Sequence, residues 1–97
     1  MVVHVGRSSG ATYYTPIDAH PTDAGYVLVI RYGPESDWVK NILAAGEAIL
    51  RLDGENHRLG LPRLVGQEEA VAALPSGYEP GKDFFRASLY LLLATAE

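Results

Sequence analysis

A turn near the N-terminus contains the residues best suited to bind an anion. Gly6, Arg7, Ser8, Ser9 and Gly10 follow one another there. Glycine can take the positive φ angles that leave backbone N–H groups uncovered, and a guanidinium with two hydroxyls suits phosphate oxygens. The same composition is also common in ordinary turns. The turn by itself therefore predicts either a phosphate-binding loop or a plain connection between two strands.

The start of a predicted helix offers a second place for an anion. Ser36 is a typical N-cap for a helix at about 36–46, and Gly46 fits the position just after its end. The helix dipole favours negative charge at such a start, although Asp37 would partly offset this effect. Arg31, just before this region, is interpreted either as a positive charge that serves the site or as a residue at the rim of the sheet.

The predicted helix has one apolar face. Trp38, Ile42 and Ala45 recur at helical spacing, whereas Lys40 and Asn41 are expected to point elsewhere. Trp38 fits either a core anchor or a platform on which a flat ring could stack. The helix could therefore serve both the core and a binding site.

What the chain lacks excludes several kinds of chemistry. It has 97 residues, no cysteine and three scattered histidines, so disulfides, thiolate nucleophiles and metal sites are not expected. The formal charge of −4 argues against nucleic acid as the main partner. No apolar run is long enough to span a bilayer and nothing resembles a signal peptide, which predicts a cytoplasmic protein. Because no Ser-His-Asp or P-loop pattern occurs, an enzyme of this kind would take its chemistry from a cofactor.

The elements that must position these residues are mostly strands. Six segments have the composition of strands, at about 1–5, 12–19, 26–32, 48–52, 56–65 and 88–95. Pro16 should lie at an edge, a bulge or a sharp bend, and Asp53-Gly54 predicts a hairpin. A second, short helix is predicted at about 67–74, ended by Pro75. Segment 82–97 is compatible with helix or strand, and a strand is favoured because the others need a closing partner.

Together these elements predict a mainly β fold in one domain, residues 1–97. About six mostly antiparallel strands with short connections suit a small barrel, which leaves few exposed strand edges. The unbroken apolar run at 26–32 indicates a strand that is covered on both faces.

Four tracts, in this order, resemble one known family: HVGRSSG, YYTP, GYVLVIRYGPESDWVKNILAAGEA and HRLGLPRLV. The chain is similar over about residues 3–75 to the deazaflavin-dependent nitroreductases of actinobacteria, most specifically at 32–46. The resemblance implies a split β-barrel related to FMN-binding flavin reductases. It also implies binding of the deazaflavin coenzyme F-420 and hydride transfer from its reduced form to a quinone or nitroaromatic acceptor. Alternatives are an FMN-binding flavin reductase-like barrel and a non-catalytic coenzyme-binding module.

The resemblance further implies which residues bind the phosphate and ring of the coenzyme. By position these are Gly6, Arg7, Ser8, Ser9, Gly10, Tyr13, Thr15, Pro16, Arg31, Tyr32, Gly33, Asp37, Trp38 and Asn41. Ser8 stands where the family commonly has a second basic residue. The catalytic residue is unknown, with Tyr78 as a candidate, and Tyr78 and Phe84 or Phe85 are candidates to close over the ring. Tyr13 and Tyr14 alternate along a strand, so at most one of them is expected to face a flat ligand.

The family also implies features outside the matched tracts. Its members usually have a further N-terminal segment that covers the site or touches the membrane, and this chain starts after that point. Membrane association is therefore expected only if a longer N-terminus exists. Related split barrels often form homodimers, which is the expectation here as well.

Overall fold

Seven antiparallel strands form one curled sheet in the computed structural model, which describes residues 1–96. They are β1 (Val2–Val5), β2 (Thr12–Thr15), β3 (Ala19–Pro21), β4 (Gly25–Ile30), β5 (Glu47–Leu52), β6 (Glu55–Gly66) and β7 (Leu89–Thr95). Their order across the sheet is β2-β1-β5-β6-β7-β4-β3, so β2 and β3 are the edges. Strands account for 44% of the described residues against 22% for helices, 3₁₀ turn included, and the sheet curls into a half-barrel. The predicted mainly β fold is confirmed.

The sheet has one strand more than predicted because the segment 12–19 is divided. Its first part pairs with β1, whereas Ala19–Pro21 pairs with β4 at the opposite edge. Pro16 stands at the break and has no N–H to donate to a continuous ladder. The sharp bend predicted at Pro16 therefore separates two edge strands rather than bending a single one.

The hairpin formed by β5 and β6 and the C-terminal strand β7 both agree with the sequence prediction. Asp53 and Gly54 have φ angles of 50° and 80° and connect β5 to β6, with Leu52 opposite Glu55. This is the hairpin that the Asp-Gly pair predicts. A 3₁₀ turn at Lys82–Arg86 then leads into β7, which pairs with both β4 and β6 in the middle of the sheet. The strand favoured for the end of the chain is thus confirmed.

Two helices cover opposite faces of the sheet. The first, α1 (Asp37–Ala45), packs over a core cluster that includes Leu28 and Ile30 of β4. The second, α2 (Gln67–Ala73), lies over a cluster that includes Val27 and Val29 of the same strand. The run in β4 is therefore buried on both faces, as its composition predicts. Neither helix found in residues 1–96 combines the length and apolar character needed to cross a membrane.

The buried face of α1 differs from the predicted one. Asn41 is buried together with Trp38, Val39 and Ile42, whereas Ala45 is exposed. The expectation that Asn41 points away from the core is wrong, because this amide has polar partners on β1 and in the turn that follows it. Ser36 precedes the helix as predicted, yet its hydroxyl donates to the Gly33 carbonyl at 2.9 Å and not to the helix.

Candidate functional site

A surface cleft of about 530 Å³ lies where β1, β2 and the turn between them meet the first half of α1. Its lining consists of His4, Gly6, Arg7, Ser8, Ser9, Tyr13, Tyr14, Thr15, Asp37, Trp38 and Asn41. All of these except His4 and Tyr14 belong to the set that the family resemblance implies. Two segments more than 20 residues apart in the sequence thus contribute to one cleft.

Five residues of the same implied set do not line this cleft: Gly10, Pro16, Arg31, Tyr32 and Gly33. Arg31 forms an ion pair with Asp18, on the connection between β2 and β3, which neutralises its charge. The Tyr32 side chain is 90% exposed. The positive charge that Arg31 was expected to add is therefore not at the cleft.

Tyr78 also lies outside the cleft. Its hydroxyl is 2.9 Å from Nδ1 of His20 in the edge strand β3, and the two rings pack edge to face. Phe84 is buried in the second core cluster, and Phe85 is half exposed beside it. In this structure none of the three aromatic side chains covers the cleft at β2.

The turn that begins the cleft is closed by its own hydrogen bonds. Gly6 N–H donates to the Ala11 carbonyl at 2.8 Å, and Gly10 N–H donates to the Gly6 carbonyl at 2.9 Å. Gly10 has a φ of 74°, as the turn prediction requires, whereas Gly6 does not have a positive φ. The two glycine N–H groups are thus satisfied within the turn. Among residues 1–96 no partner is found for the N–H groups of Ser8 and Ser9, which are the turn donors left for a ligand.

Gly6 matters because a side chain at this position would have little room. A Cβ atom at this position would lie 2.8 Å from Ser9 Oγ and 2.8 Å from Cε2 of Tyr13. No methyl group fits at that distance. The absence of a side chain at Gly6 therefore lets the Tyr13 ring lie against the turn.

A chain of hydrogen bonds connects the turn, α1, β1 and β2. Oδ1 of Asn41 accepts from the Arg7 backbone N–H at 3.1 Å and from Arg7 Nη1 at 2.7 Å. Nδ2 of Asn41 is 3.1 Å from Nδ1 of His4, and Nε2 of His4 is 2.9 Å from Oγ1 of Thr15. Asn41 and His4 are only 4% and 5% exposed, so each hydrogen bond replaces one that water would otherwise make.

The cleft carries two opposite charges. Arg7 Nη2 is 3.5 Å from Oδ1 of Asp37, and both side chains are partly or largely exposed. Burial lowers the pKa of His4, and the nearby Asp37 carboxylate raises it only in part, so His4 is neutral at neutral pH. An anion in the cleft would therefore be held by direct contact with the Arg7 guanidinium rather than by a positive field.

Aromatic rings form one wall of the cleft. The rings of His4 and Tyr13 stack with centroids 5.8 Å apart and an angle of 25° between their planes. Tyr13 remains 46% exposed, so part of its surface is open to a ligand. Tyr14 also borders the cleft, but its ring lies beneath the Arg51 guanidinium at 6.0 Å, whereas the Tyr13 ring stacks on His4.

His4 is the residue of the site that the sequence analysis missed. Its sequence spacing from His20 and His57 shows no pattern of metal ligands and predicts no role for it. A signal was nevertheless present, since alternation along β1 places His4 on the same face as the buried Val2. A polar ring on the inward face of a strand needs partners, and here Asn41 and Thr15 provide them.

Comparison with known proteins finds no family model, no curated protein and no solved structure that matches the chain. Within residues 1–96 no three His, Asp or Glu side chains are grouped so that they could hold a metal ion. Inference about function therefore depends on the cleft, with its arginine, its free turn N–H groups and its stacked rings.

Proposed function

We propose that the chain binds the deazaflavin coenzyme F-420 in the cleft and uses it to reduce a small quinone or nitroaromatic acceptor. The observation that carries the proposal is that the turn after β1 and the start of α1 line one cleft. These are the two segments for which the family resemblance implies contacts with the coenzyme. At about 530 Å³ the cleft falls within the range usual for sites of small molecules and cofactors.

The chain's residues fit the phosphate of such a coenzyme. Arg7 is 38% exposed in its side chain, and only some of its five N–H donors are used by Asn41 and Asp37. The N–H groups of Ser8 and Ser9 lie next to it in the turn. A guanidinium beside two main-chain donors is a suitable partner set for phosphate oxygens. Ser8, in place of a second basic residue, makes the site less cationic than the family pattern.

The aromatic wall suits a flat ring. Tyr13 is braced on one side by the stacked His4 ring, so its orientation is restricted before a ligand arrives. Trp38, only 8% exposed, contributes to the floor of the cleft as part of the core. These residues would orient the coenzyme ring and exclude water from one of its faces.

The reduced coenzyme would supply the hydride. Within the cleft the chain's own part is to bind and orient the coenzyme against the acceptor. The acceptor would approach from the open side of the cleft, where Tyr14 and Ser8 are exposed.

A fluorescence titration with the oxidised deazaflavin coenzyme tests the proposal, with FMN titrated in parallel. Saturable binding of the deazaflavin alone is expected. Arg7→Ala should weaken this binding, whereas Arg31→Ala, which removes an arginine outside the cleft, is the matched control and should not. Equal affinity for the wild-type chain and Arg7→Ala would contradict the site.

The same titration separates the alternatives. Binding of FMN in place of the deazaflavin would move the chain to the FMN-binding flavin reductase-like class. Tight deazaflavin binding without turnover of any quinone or nitro compound would indicate a non-catalytic coenzyme-binding module. If neither coenzyme binds, the proposed function is wrong for this chain.

The proposal includes a cytoplasmic protein that acts as a homodimer. The homodimer comes from the family resemblance, and the cytoplasmic location is the expectation stated from the sequence; neither comes from the fold. Sedimentation of the purified chain tests the second part, and a monomer at micromolar concentration would overturn it.

A further inference from the structure

The hydrogen bonds around Asn41 have only one consistent direction. Two donors of Arg7 converge on one side of the amide, so that side must be the oxygen. The other side is then the NH₂ group, which donates to Nδ1 of His4. Nδ1 must therefore be unprotonated, and His4 carries its proton on Nε2, from which it donates to Thr15.

Protonation of His4 would reverse this arrangement. A proton on Nδ1 would place an N–H donor against the NH₂ group of Asn41. Rotating the amide by half a turn would give Nδ1 an acceptor, but it would then present the NH₂ group to the two donors of Arg7. No orientation of Asn41 satisfies both neighbours once His4 is charged.

The charged groups around His4 do not remove this conflict. Asp37 on α1 favours the charged form of His4, but burial outweighs it and lowers the His4 pKa below the ordinary value of 6.5. Arg7 in the turn adds a positive charge on the far side of Asn41. From β5 and β6, Glu47 and Arg58 border a neighbouring groove that His4 also lines, and their charges are opposite. Tyr13 on β2 stacks on the ring.

We propose that His4 is a positioning residue for the cleft: in its neutral form it orients Asn41, which holds Arg7 in place, and protonation of His4 releases Arg7. The released guanidinium would retain only its exposed contact with Asp37. This inference deepens the proposed function and rests on it for the identity of the ligand, whereas the connection from His4 to Arg7 is a property of the chain alone.

Two substitutions of His4 separate its two ring nitrogens. His4→Asn places an amide oxygen near the position of Nδ1, where it can accept from Asn41, and gives up the bond to Thr15. His4→Gln places its amide near the position of Nε2, keeps the bond to Thr15 and gives up the acceptor for Asn41. The two variants are matched in polarity, so a difference between them reports on the Asn41 bond.

The test is NMR spectroscopy of the ligand-free chain, because it does not depend on coenzyme binding. At neutral pH the unprotonated nitrogen of His4 should be Nδ1, and the Arg7 amide should be protected from solvent exchange. As the pH falls below 6.5, Arg7 protection should decrease in step with protonation of the His4 ring. In His4→Asn the Arg7 amide should stay protected from exchange at every pH tested. In His4→Gln it should be unprotected even at neutral pH.

Three results would overturn the inference. One is the opposite His4 tautomer at neutral pH. Another is an Arg7 amide that stays protected while the ring signals show His4 to be charged. The third is equal protection in His4→Asn and His4→Gln. The two variants are compared at neutral pH. Their Arg7 protection therefore tests the inference even if the wild-type chain unfolds in acid before His4 is fully charged.

A titration with the deazaflavin coenzyme then tests the consequence for binding. The wild-type affinity should fall about tenfold when His4 becomes charged, as expected for loss of one fixed charge-assisted hydrogen bond. His4→Asn also removes the ring that stacks on Tyr13, so its affinity at neutral pH is expected to be lower than that of the wild type, but that affinity should not change over the same pH range. If no variant binds the coenzyme at any pH, the proposed function fails, while Arg7 protection still decides the role of His4.

Discussion

Asn41 and Arg7 are joined by two hydrogen bonds to a single oxygen, one from the Arg7 backbone and one from its guanidinium. The residues are 34 apart in the sequence, so the bonds connect the turn after β1 to the first helix. Because one oxygen fixes both the main chain and the side chain of Arg7, the shape of the turn and the position of its charge are coupled.

Replacing this amide should destabilise the fold. Asn41→Leu keeps the size of the side chain but leaves the Arg7 N–H and Nδ1 of His4 without their partner. A buried polar group that loses its partner costs about 1–3 kcal/mol in the free energy of unfolding. Urea denaturation measures the change. Lys40→Ala, on the neighbouring position of the same helix, is the control and should leave the midpoint almost unchanged, since its ion pair with Glu35 is exposed.

Stability should fall in mild acid. Burial lowers the pKa of His4 and His20 in the folded chain below the ordinary value of 6.5. The unfolded chain then binds protons more readily, so this contribution to stability is complete above pH 6.5 and is lost as the pH decreases below it. Urea midpoints at about pH 7.5 and about pH 5.5 should differ, with the lower midpoint in acid. The difference should shrink in a His4→Asn chain; midpoints that are equal in the wild type would rule out this linkage.

Gly6→Ala should disturb the aromatic wall. The added methyl group would lie 2.8 Å from Ser9 Oγ and 2.8 Å from Cε2 of Tyr13, so these two side chains must shift to make room. We expect weaker coenzyme binding and a changed exposure of Tyr13, measured by titration and by near-ultraviolet circular dichroism. Gly66→Ala is the matched control, because a Cβ there meets no atom within 4 Å. Equal effects of the two substitutions would argue against the role of Gly6.

Tyr90→Phe should weaken the packing of the C-terminal part of the chain. The Tyr90 hydroxyl is buried, lies within hydrogen-bonding distance of the Phe84 and Ala87 carbonyls, and accepts from Gln67 Nε2 at 3.3 Å. Its removal leaves the buried Phe84 carbonyl without its donor, which costs about 1–3 kcal/mol, whereas the Ala87 carbonyl still accepts from Gln67 Nε2. Urea denaturation measures the change in the free energy of unfolding. Tyr32→Phe is the control and should leave it almost unchanged, because Tyr32 is 90% exposed.

Local patterns were enough to predict most of the fold. Asp53-Gly54 predicts its hairpin because few residue pairs adopt two successive positive φ angles. Pro75 predicts the end of the second helix because proline cannot continue it. The strand at the C-terminus needed an argument about the whole sheet, since Leu89–Thr95 has no clear period of its own.

The candidate site was less predictable because it depends on contacts between distant segments. Asn41 reads as a solvent-facing residue on a helical wheel, and only its pairing with Arg7 and His4 explains its burial. Arg31 looks suitable for an anion in the sequence, but the fold pairs it with Asp18. Neither partner can be identified from local spacing.

The break at Pro16 has a consequence for the shape of the whole sheet. Thr15 ends one edge strand and Ala19 begins the other, so four Cα steps, which reach at most about 14 Å, connect the two edges. In a flat sheet of seven strands, spacings of about 4.8 Å would hold those edges about 29 Å apart. The short connection therefore acts as a tether that forces the sheet to curl, and a longer connection would let the half-barrel open.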